Sequence, residues 1–238
     1  YFASLLREEQ KRLALQAQKE PARLAQIGQI GKLASALTNL SHSLSLIRPH
    51  QVMQQADHLT LQAQNALSVL SQSGAALPFQ MLFDSTLQAY QSLALPTPEG
   101  DARQDLLVQR ELIQWYAQRE HWMQAVSLAR EWLVSWMMFH LGMTSLTALS
   151  DRHRIEGVVN SEAAEFLRAK KEGLAFQPVF LKLIPDLEIV LGLWKALTDT
   201  RNDIDHAGMR ENPETPENLT KNIAAYIQAL NALPLEYS

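Results

Sequence analysis

The sequence contains no cysteine, and this absence excludes several kinds of chemistry at once. Without thiols the chain can form no disulfide, no thiolate zinc site and no cysteine nucleophile. No uncharged apolar run approaches the roughly 20 residues needed to cross a bilayer, and no basic start followed by an apolar stretch suggests a secretion signal. The sequence therefore predicts a soluble protein without membrane contact, and we expect it in the cytoplasm.

Positive charge is also scarce, because 21 lysines and arginines stand against 25 acidic residues, for a net charge of -4. Such a balance argues against broad binding of duplex DNA and confines any nucleic-acid contact to a local cleft. The Walker loop, the Gly-x-Ser-x-Gly elbow, the His-Glu-x-x-His motif and the dinucleotide glycine fingerprint are all missing. Hydrolases and dehydrogenases that depend on those motifs are disfavoured.

Glycine is sparse as well, with nine in 238 residues, and apolar residues recur at helical spacing almost throughout. An all-α fold is therefore predicted, and 47% hydrophobic residues suffice for a core. Between Leu24 and Ile47 the apolar steps alternate between three and four, which predicts one long amphipathic helix that stops at Pro49. Further helices are predicted over residues 52–70, ended by Gly74, and over residues 78–95.

The strongest break in the chain is Pro96-Thr97-Pro98-Glu99-Gly100, which cannot continue a helix and predicts a domain boundary. Beyond it, residues 101–117 and 121–139 read as an antiparallel helical pair. Residues 141–159 look irregular, and a helix is predicted over residues 161–172 with Asn160 or Ser161 as its cap.

Two more helices are predicted toward the C-terminus. Pro185 at a helix start, with Asp186 in the first turn, launches a helix from Leu187 to about Thr200. Thr215 is expected to cap a final helix that ends before Pro234.

The most informative stretch is Arg201-Asn202-Asp203-Ile204-Asp205-His206-Ala207-Gly208. It sets a permanent cation near a group that can carry protons at neutral pH, and metal-free phosphodiester cleavage needs both capacities. Five positions on an ideal helix separate two side chains by about 140°, so Arg201 and His206 converge only where the helix ends or a second copy helps. The alternative interpretation is a cation and a histidine that merely complement the helix dipole.

Neighbouring polar residues extend this candidate site. Asn202 can anchor the local backbone or a phosphate, while Asp203 and Asp205 would restrain a nearby histidine or raise its basicity. Further candidates for gripping an RNA backbone are Arg152, Arg154, Lys170 and Lys171, although such a cluster can equally be a solvated surface.

Other residue patterns point to structure rather than to chemistry. His42, His50 and His58 recur at intervals of eight, but Pro49 interrupts the register and no carboxylate completes a ligand set, so we expect no metal and no cofactor. The five tryptophans could stack on bases, yet their helical spacing favours core packing or a subunit interface.

The Arg-Asn-x-x-x-His-Ala-Gly stretch closing a helix, with a helix like Trp122–Trp132 upstream, resembles HEPN ribonucleases. More narrowly, it is similar to the HEPN half of the CRISPR ancillary ribonucleases that join a cyclic-oligonucleotide sensor (CARF) domain to a HEPN effector. The segment from Ile30-Gly31-Lys32 to Arg48-Pro49 looks like the helical connector of that family. The resemblance implies a connector domain over residues 1–98 and a HEPN ribonuclease domain over residues 99–238.

The resemblance also implies an activity. In that family the arginine and histidine of two protomers meet at a dimer interface and cut single-stranded RNA without metal, by attack of the substrate's 2′-hydroxyl. The matching residues here are Arg201 and His206, with Asn202 as the polar residue of the motif. A homodimer acting in CRISPR antiviral defence is expected. The family's N-terminal Rossmann-like sensor is absent from this chain, which begins at Tyr1 and which we interpret as a possible fragment. Cyclic oligoadenylate is therefore expected to act only through a sensor on a longer parent.

Two rival functions stay open at the level of sequence. The HEPN fold could be the toxin of a toxin–antitoxin pair that acts on cellular RNA. Alternatively, the chain is a non-catalytic helical scaffold that binds protein partners through the apolar stripe between Leu24 and Ile47.

Overall fold

The computed structural model describes residues 1–17, 20–72, 76–209 and 211–236, and every regular element in these ranges is a helix. The predicted all-α fold class is confirmed. The α-helices are α1 Phe2–Gln16, α2 Pro21–Ser45, α3 Pro49–Gln72, α4 Ala76–Tyr90, α5 Ala102–Gln118, α6 Trp122–His140, α7 Leu149–Glu172, α8 Leu187–Asp205 and α9 Pro216–Ala232. Two short 3-10 helices, Gln91–Leu93 and Pro98–Gly100, lie between α4 and α5.

The chain folds as two compact units, Tyr1–Pro98 (unit 1) and Glu99–Ser238 (unit 2). The division falls within the proline-rich segment after α4. Among the described helices of both units, none is long and apolar enough to span a membrane.

Unit 1 is built on α2, which packs against α1 on one side and α3 on the other. The stripe predicted from the sequence supplies this core, with Ile27, Ile30, Leu33, Leu40 and Leu44 buried. The central part of the stripe is thus filled by the unit's own helices, while Leu24 at its start is 37% exposed.

The later helices of unit 1 differ from the predictions at their ends. Helix α2 ends at Ser45 and Ile47 has a positive φ of 52°, so the predicted helix does not continue to Pro49. Pro49 instead begins α3, since the first turn of a helix needs no backbone donor. Gly74, expected to end this helix, lies outside the described residues. Helix α4 ends at Tyr90 rather than near Leu95, whose N–H instead donates to the carbonyl of Met53 at 3.2 Å.

Unit 2 is organised around α6, which packs against α5, α7, α8 and α9. Trp132 and Trp136 are fully buried on it. Their indole N–H groups donate to the carbonyls of Leu106, at 2.8 Å, and Pro234, at 2.7 Å. Core packing is confirmed for these two tryptophans and for Trp194, which is 1% exposed.

The predicted irregular segment over residues 141–159 is wrong in its second half, because α7 is continuous from Leu149 to Glu172. Ile155 and Val159 carry the buried stripe of the helix backward from Ala163. Asn160 does not cap a helix: its Oδ1 accepts a hydrogen bond from Trp194 Nε1 at 2.8 Å. Asn160 was predicted as a helix cap because it is polar, but its side chain makes a tertiary hydrogen bond inside α7.

The ends of the last two helices are closer to expectation. Helix α8 begins at Leu187, as predicted, with Asp186 as its N-cap residue in a left-handed conformation with φ 50° instead of a member of the first turn. It continues to Asp205, so the predicted end near Thr200 is wrong by more than one turn. Thr215 does cap α9, since its Oγ1 accepts the N–H of Asn218 at 3.3 Å, and α9 ends before Pro234 as predicted.

A buried carboxylate holds the connection between α7 and α8. Glu162, 5% exposed, accepts hydrogen bonds at Oε1 from the backbone N–H groups of Val179, Phe180 and Leu181. Three consecutive donors satisfied by one charged acceptor fix the path of a segment without regular structure.

Replacing Glu162 with alanine should therefore lower the free energy of unfolding by about 2 kcal/mol, because the three donors lose their acceptor. Urea denaturation followed by circular dichroism measures this. The matched control is Glu165→Ala on the same helix, where the carboxylate makes an exposed pair with Arg168 and the change should stay within about 0.5 kcal/mol. Equal losses in the two variants would contradict the role of Glu162.

Candidate active site at the end of helix α8

A reversal of the backbone ends α8 at the candidate motif. The N–H of Ala207 donates to the carbonyl of Ile204 at 2.9 Å, and the N–H of Gly208 donates to that of Asp203 at 3.0 Å. Ala207 and Gly208 have positive φ values of 52° and 67°. This pair of bonds with a left-handed residue after the cap is the Schellman arrangement, which stops the helix directly after His206.

The structure brings the three predicted catalytic residues to this one helix end. Asn202 and His206 are exposed, and the side chain of Arg201 is 38% exposed. Asp203, in contrast, is buried in the unit. The exposed end of α8 therefore carries a cation, an amide and an imidazole.

Arg201 forms an ion pair with Asp205, a residue that the sequence interpretation assigned to the histidine. Its Nε donates to Asp205 Oδ2 at 2.9 Å, one helical turn further along. Asp205 was expected to restrain His206; its ion pair is with Arg201. The spacing of four residues is the signal that could have predicted this pair.

The predicted RNA-binding residues do not form one cluster. Arg154 lies in the second turn of α7, and Lys170 and Lys171 lie in its last turn. Sixteen residues separate Arg154 from Lys170, about 24 Å along a helix. All three are exposed, and Lys170 Nζ lies 5.9 Å from the ring of Phe166.

Arg152 has a different role from its neighbours. Its Nη1 donates to Ser135 Oγ and to the carbonyl of Leu146, both at 2.8 Å. Its Nη2 donates to the carbonyl and the carboxylate of Glu131, at 3.1 and 2.7 Å. RNA could recruit this guanidinium only by displacing these bonds, so its assignment to RNA stays a prediction.

Metal ligation finds no support in the arrangement of side chains. Across the described ranges, no group of three or more histidine, aspartate or glutamate residues is placed to hold a metal ion.

Comparison with models of known families, with curated proteins and with solved structures finds no match to this chain. The resemblance to HEPN ribonucleases therefore depends on the motif and its helical setting alone.

Two substitutions at this helix end should change the free energy of unfolding in opposite directions. Ala207 occupies a left-handed position that favours glycine, so Ala207→Gly should raise the free energy of unfolding by up to about 1 kcal/mol. Gly208→Ala should lower it by about 1 kcal/mol or more, because alanine resists a positive φ. Urea denaturation measures both.

The matched control is Ala225→Gly, an exposed position inside α9, where glycine should cost about 1 kcal/mol. Destabilisation of the same size at Ala207 and Ala225 would mean that α8 does not end as described.

Proposed function

We propose that the chain is a metal-independent endoribonuclease that cleaves single-stranded RNA at a site formed by two copies of unit 2. The observation that carries the proposal is the presence of Arg201, Asn202 and His206 together at one exposed helix end. The resemblance to HEPN ribonucleases supplies the activity and the dimer.

The chemistry follows from what these groups can do. The substrate's 2′-oxygen attacks the adjacent phosphorus, the bond from phosphorus to the 5′-oxygen breaks, and the proton of the 2′-hydroxyl is finally placed on that 5′-oxygen. His206 moves the proton, and Arg201 neutralises the charge that develops on the phosphorane oxygens. The products are a 2′,3′-cyclic phosphate and a 5′-hydroxyl. DNA is spared because it lacks the attacking hydroxyl.

The ion pair between Arg201 and Asp205 is compatible with this role. Both side chains are more than one third exposed, and a surface pair of this kind is worth less than about 1 kcal/mol. A phosphate can therefore take the place of the Asp205 carboxylate at little cost, while Asp205 keeps the guanidinium extended when no substrate is bound.

A second copy would complete the site. Arg201 and His206 point about 140° apart if the helical geometry extends through His206, which is a poor arrangement for one substrate. Met209, three residues beyond, is 86% exposed and gives this end of the unit an apolar contact for a two-fold partner.

The biological setting belongs to the same proposal. The resemblance suggests CRISPR antiviral defence in the cytoplasm, with cyclic oligoadenylate acting through a sensor domain of a longer parent. Of the rivals, no observation favours a toxin, and burial of five stripe residues on α2 speaks against the scaffold interpretation, which stays open.

Arg201→Ala and His206→Ala should each reduce RNA cleavage by about 100-fold or more, the usual contribution of a positioned acid or base, while helicity is unchanged. A labelled single-stranded RNA with analysis of its new termini measures the loss. Arg168→Ala and His42→Ala replace exposed residues of the same types and should retain activity. Cleavage by the wild type should continue in EDTA, and a strict requirement for added divalent metal would refute the mechanism.

The dimer gives a separate expectation. The wild type should sediment as a dimer, and Met209→Asp should weaken dimerisation and cleavage together by about tenfold or more, because a charge in an apolar contact is costly. Met81→Asp, at a position that is 76% exposed in unit 1, is the matched control and should change neither. A monomer with full specific activity would exclude the composite site.

A further inference from the structure

A groove of about 680 Å³ lies in unit 1, between α1, α2 and α3. Arg7 and Lys11 of α1, Lys32 of α2 and His58 of α3 line it. No carboxylate lines it within the part of the chain that the structure describes. Three permanent cations around one concave surface create a field that attracts anions.

The cations are accessible to a ligand. Lys32 is exposed and makes no ion pair with the described residues. Among the described residues, Arg7 donates only to the hydroxyl of Thr38, at 3.1 Å. Lys11 pairs with Glu8, and because both side chains are about 70% exposed this pair is weak and exchangeable.

Small residues of α2 keep the floor of the groove open. A Cβ atom added at Gly28 would meet nothing within 4 Å, whereas one added at Gly31 would meet the side chain of Gln10 at 2.6 Å, so the open part of the floor is at Gly28. A ligand can therefore approach the backbone of α2 closely.

The groove also includes a hydrogen-bond acceptor without a donor. Gln62 Oε1 is buried and has no hydrogen-bond partner among the described residues. A simple anion offers only acceptors and cannot satisfy it, whereas a ribose 2′-hydroxyl is a donor as well. The described residues that line the groove include no phenylalanine, tyrosine or tryptophan, so stacking on bases is not expected there.

Charge is divided unequally between the two units. Residues 1–98 contain seven lysines and arginines against five acidic residues, which gives +2. Residues 99–238 contain 14 against 20, which gives -6. A polyanionic substrate is therefore repelled by the unit that carries Arg201 and His206, and its affinity has to come from local cations.

We infer that the groove formed by α1, α2 and α3 is a binding site for the sugar–phosphate backbone of single-stranded RNA. Arg7, Lys11 and Lys32 contact phosphates, and Gln62, whose Oε1 is covered in the free chain, turns its amide into the groove to accept a hydrogen bond from a 2′-hydroxyl. The inference rests on the proposed function for the identity of the strand. Holding RNA on unit 1 raises its effective concentration at unit 2 of the same chain without sequence preference.

Binding is measured by fluorescence anisotropy with a labelled, mixed-sequence RNA 20-mer and the full chain carrying His206→Ala, which prevents cleavage. Gly28→Glu should weaken binding by about tenfold, because it places a carboxylate in the groove. The same change should raise the urea midpoint, since glycine inside a helix is unfavourable, so misfolding cannot explain the loss. Gln64→Glu adds the same charge to an exposed position of α3 outside the groove and should leave affinity within about twofold.

Removal of cations gives a second readout. Arg7→Gln with Lys32→Gln should lower the slope of log affinity against log salt by about 1.4, or 0.7 for each lost phosphate contact. Arg23→Gln, on α2 but outside the groove, should leave that slope unchanged. Equal affinity of Gly28→Glu and Gln64→Glu, or an unchanged slope in the double variant, would overturn the inference.

The assignment to RNA has its own control. DNA of the same sequence should bind about threefold more weakly, and Gln62→Leu should abolish this difference. Equal binding of both strands to the wild type, or displacement of the 20-mer by inorganic phosphate alone at millimolar concentration, would overturn it. If the wild-type chain binds RNA through the groove but never cleaves it, the proposed function alone is refuted. If cleavage requires His206 while Gly28→Glu leaves RNA affinity unchanged, the groove inference alone is refuted.

Discussion

Burial of α6 is the constraint on which unit 2 depends. Four helices cover it, and its two central tryptophans, Trp132 and Trp136, are removed from solvent. A buried indole N–H without an acceptor costs free energy, so each ring needs a carbonyl at the right place. Leu106 on α5 and Pro234 after α9 supply them. The hydrogen-bonding needs of α6 thereby fix helices that are distant in sequence.

The same helix positions α7 and α8 through charge. Arg130, 8% exposed, pairs with Glu131 and Glu156, and its guanidinium lies 4.4 Å from the centre of the Trp194 ring on α8. Trp194 in turn donates to Asn160 of α7. A buried cation has to be compensated, and this one is compensated by residues of three helices. The exposed end of α8, with Arg201 and His206, is the continuation of a helix whose middle is held in this way.

The two units divide the requirements of the proposed nuclease. Unit 2 is acidic and offers an arginine, an asparagine and a histidine at one helix end, which suits bond cleavage more than substrate capture. Unit 1 has an excess of cations and a groove with three of them, which suits capture. Separation of the two tasks would let the reacting groups stay few and exposed while affinity is adjusted elsewhere on the chain.

The sequence by itself determined the helical class, the long α2 stripe and the cap of α9, because helical periodicity and capping are local properties of neighbouring residues. The sequence also identified Arg201, Asn202 and His206 as candidate site residues, because their spacing can be read directly from it. Only the tertiary structure decided that α7 begins at Leu149, that Arg152 is bonded to α6 and that Asn160 serves Trp194. It alone assembled Arg7, Lys32 and Gln62 around one groove. The physical reason is that these polar side chains find their partners across helices, and no local pattern records which partner a long-range hydrogen bond will have.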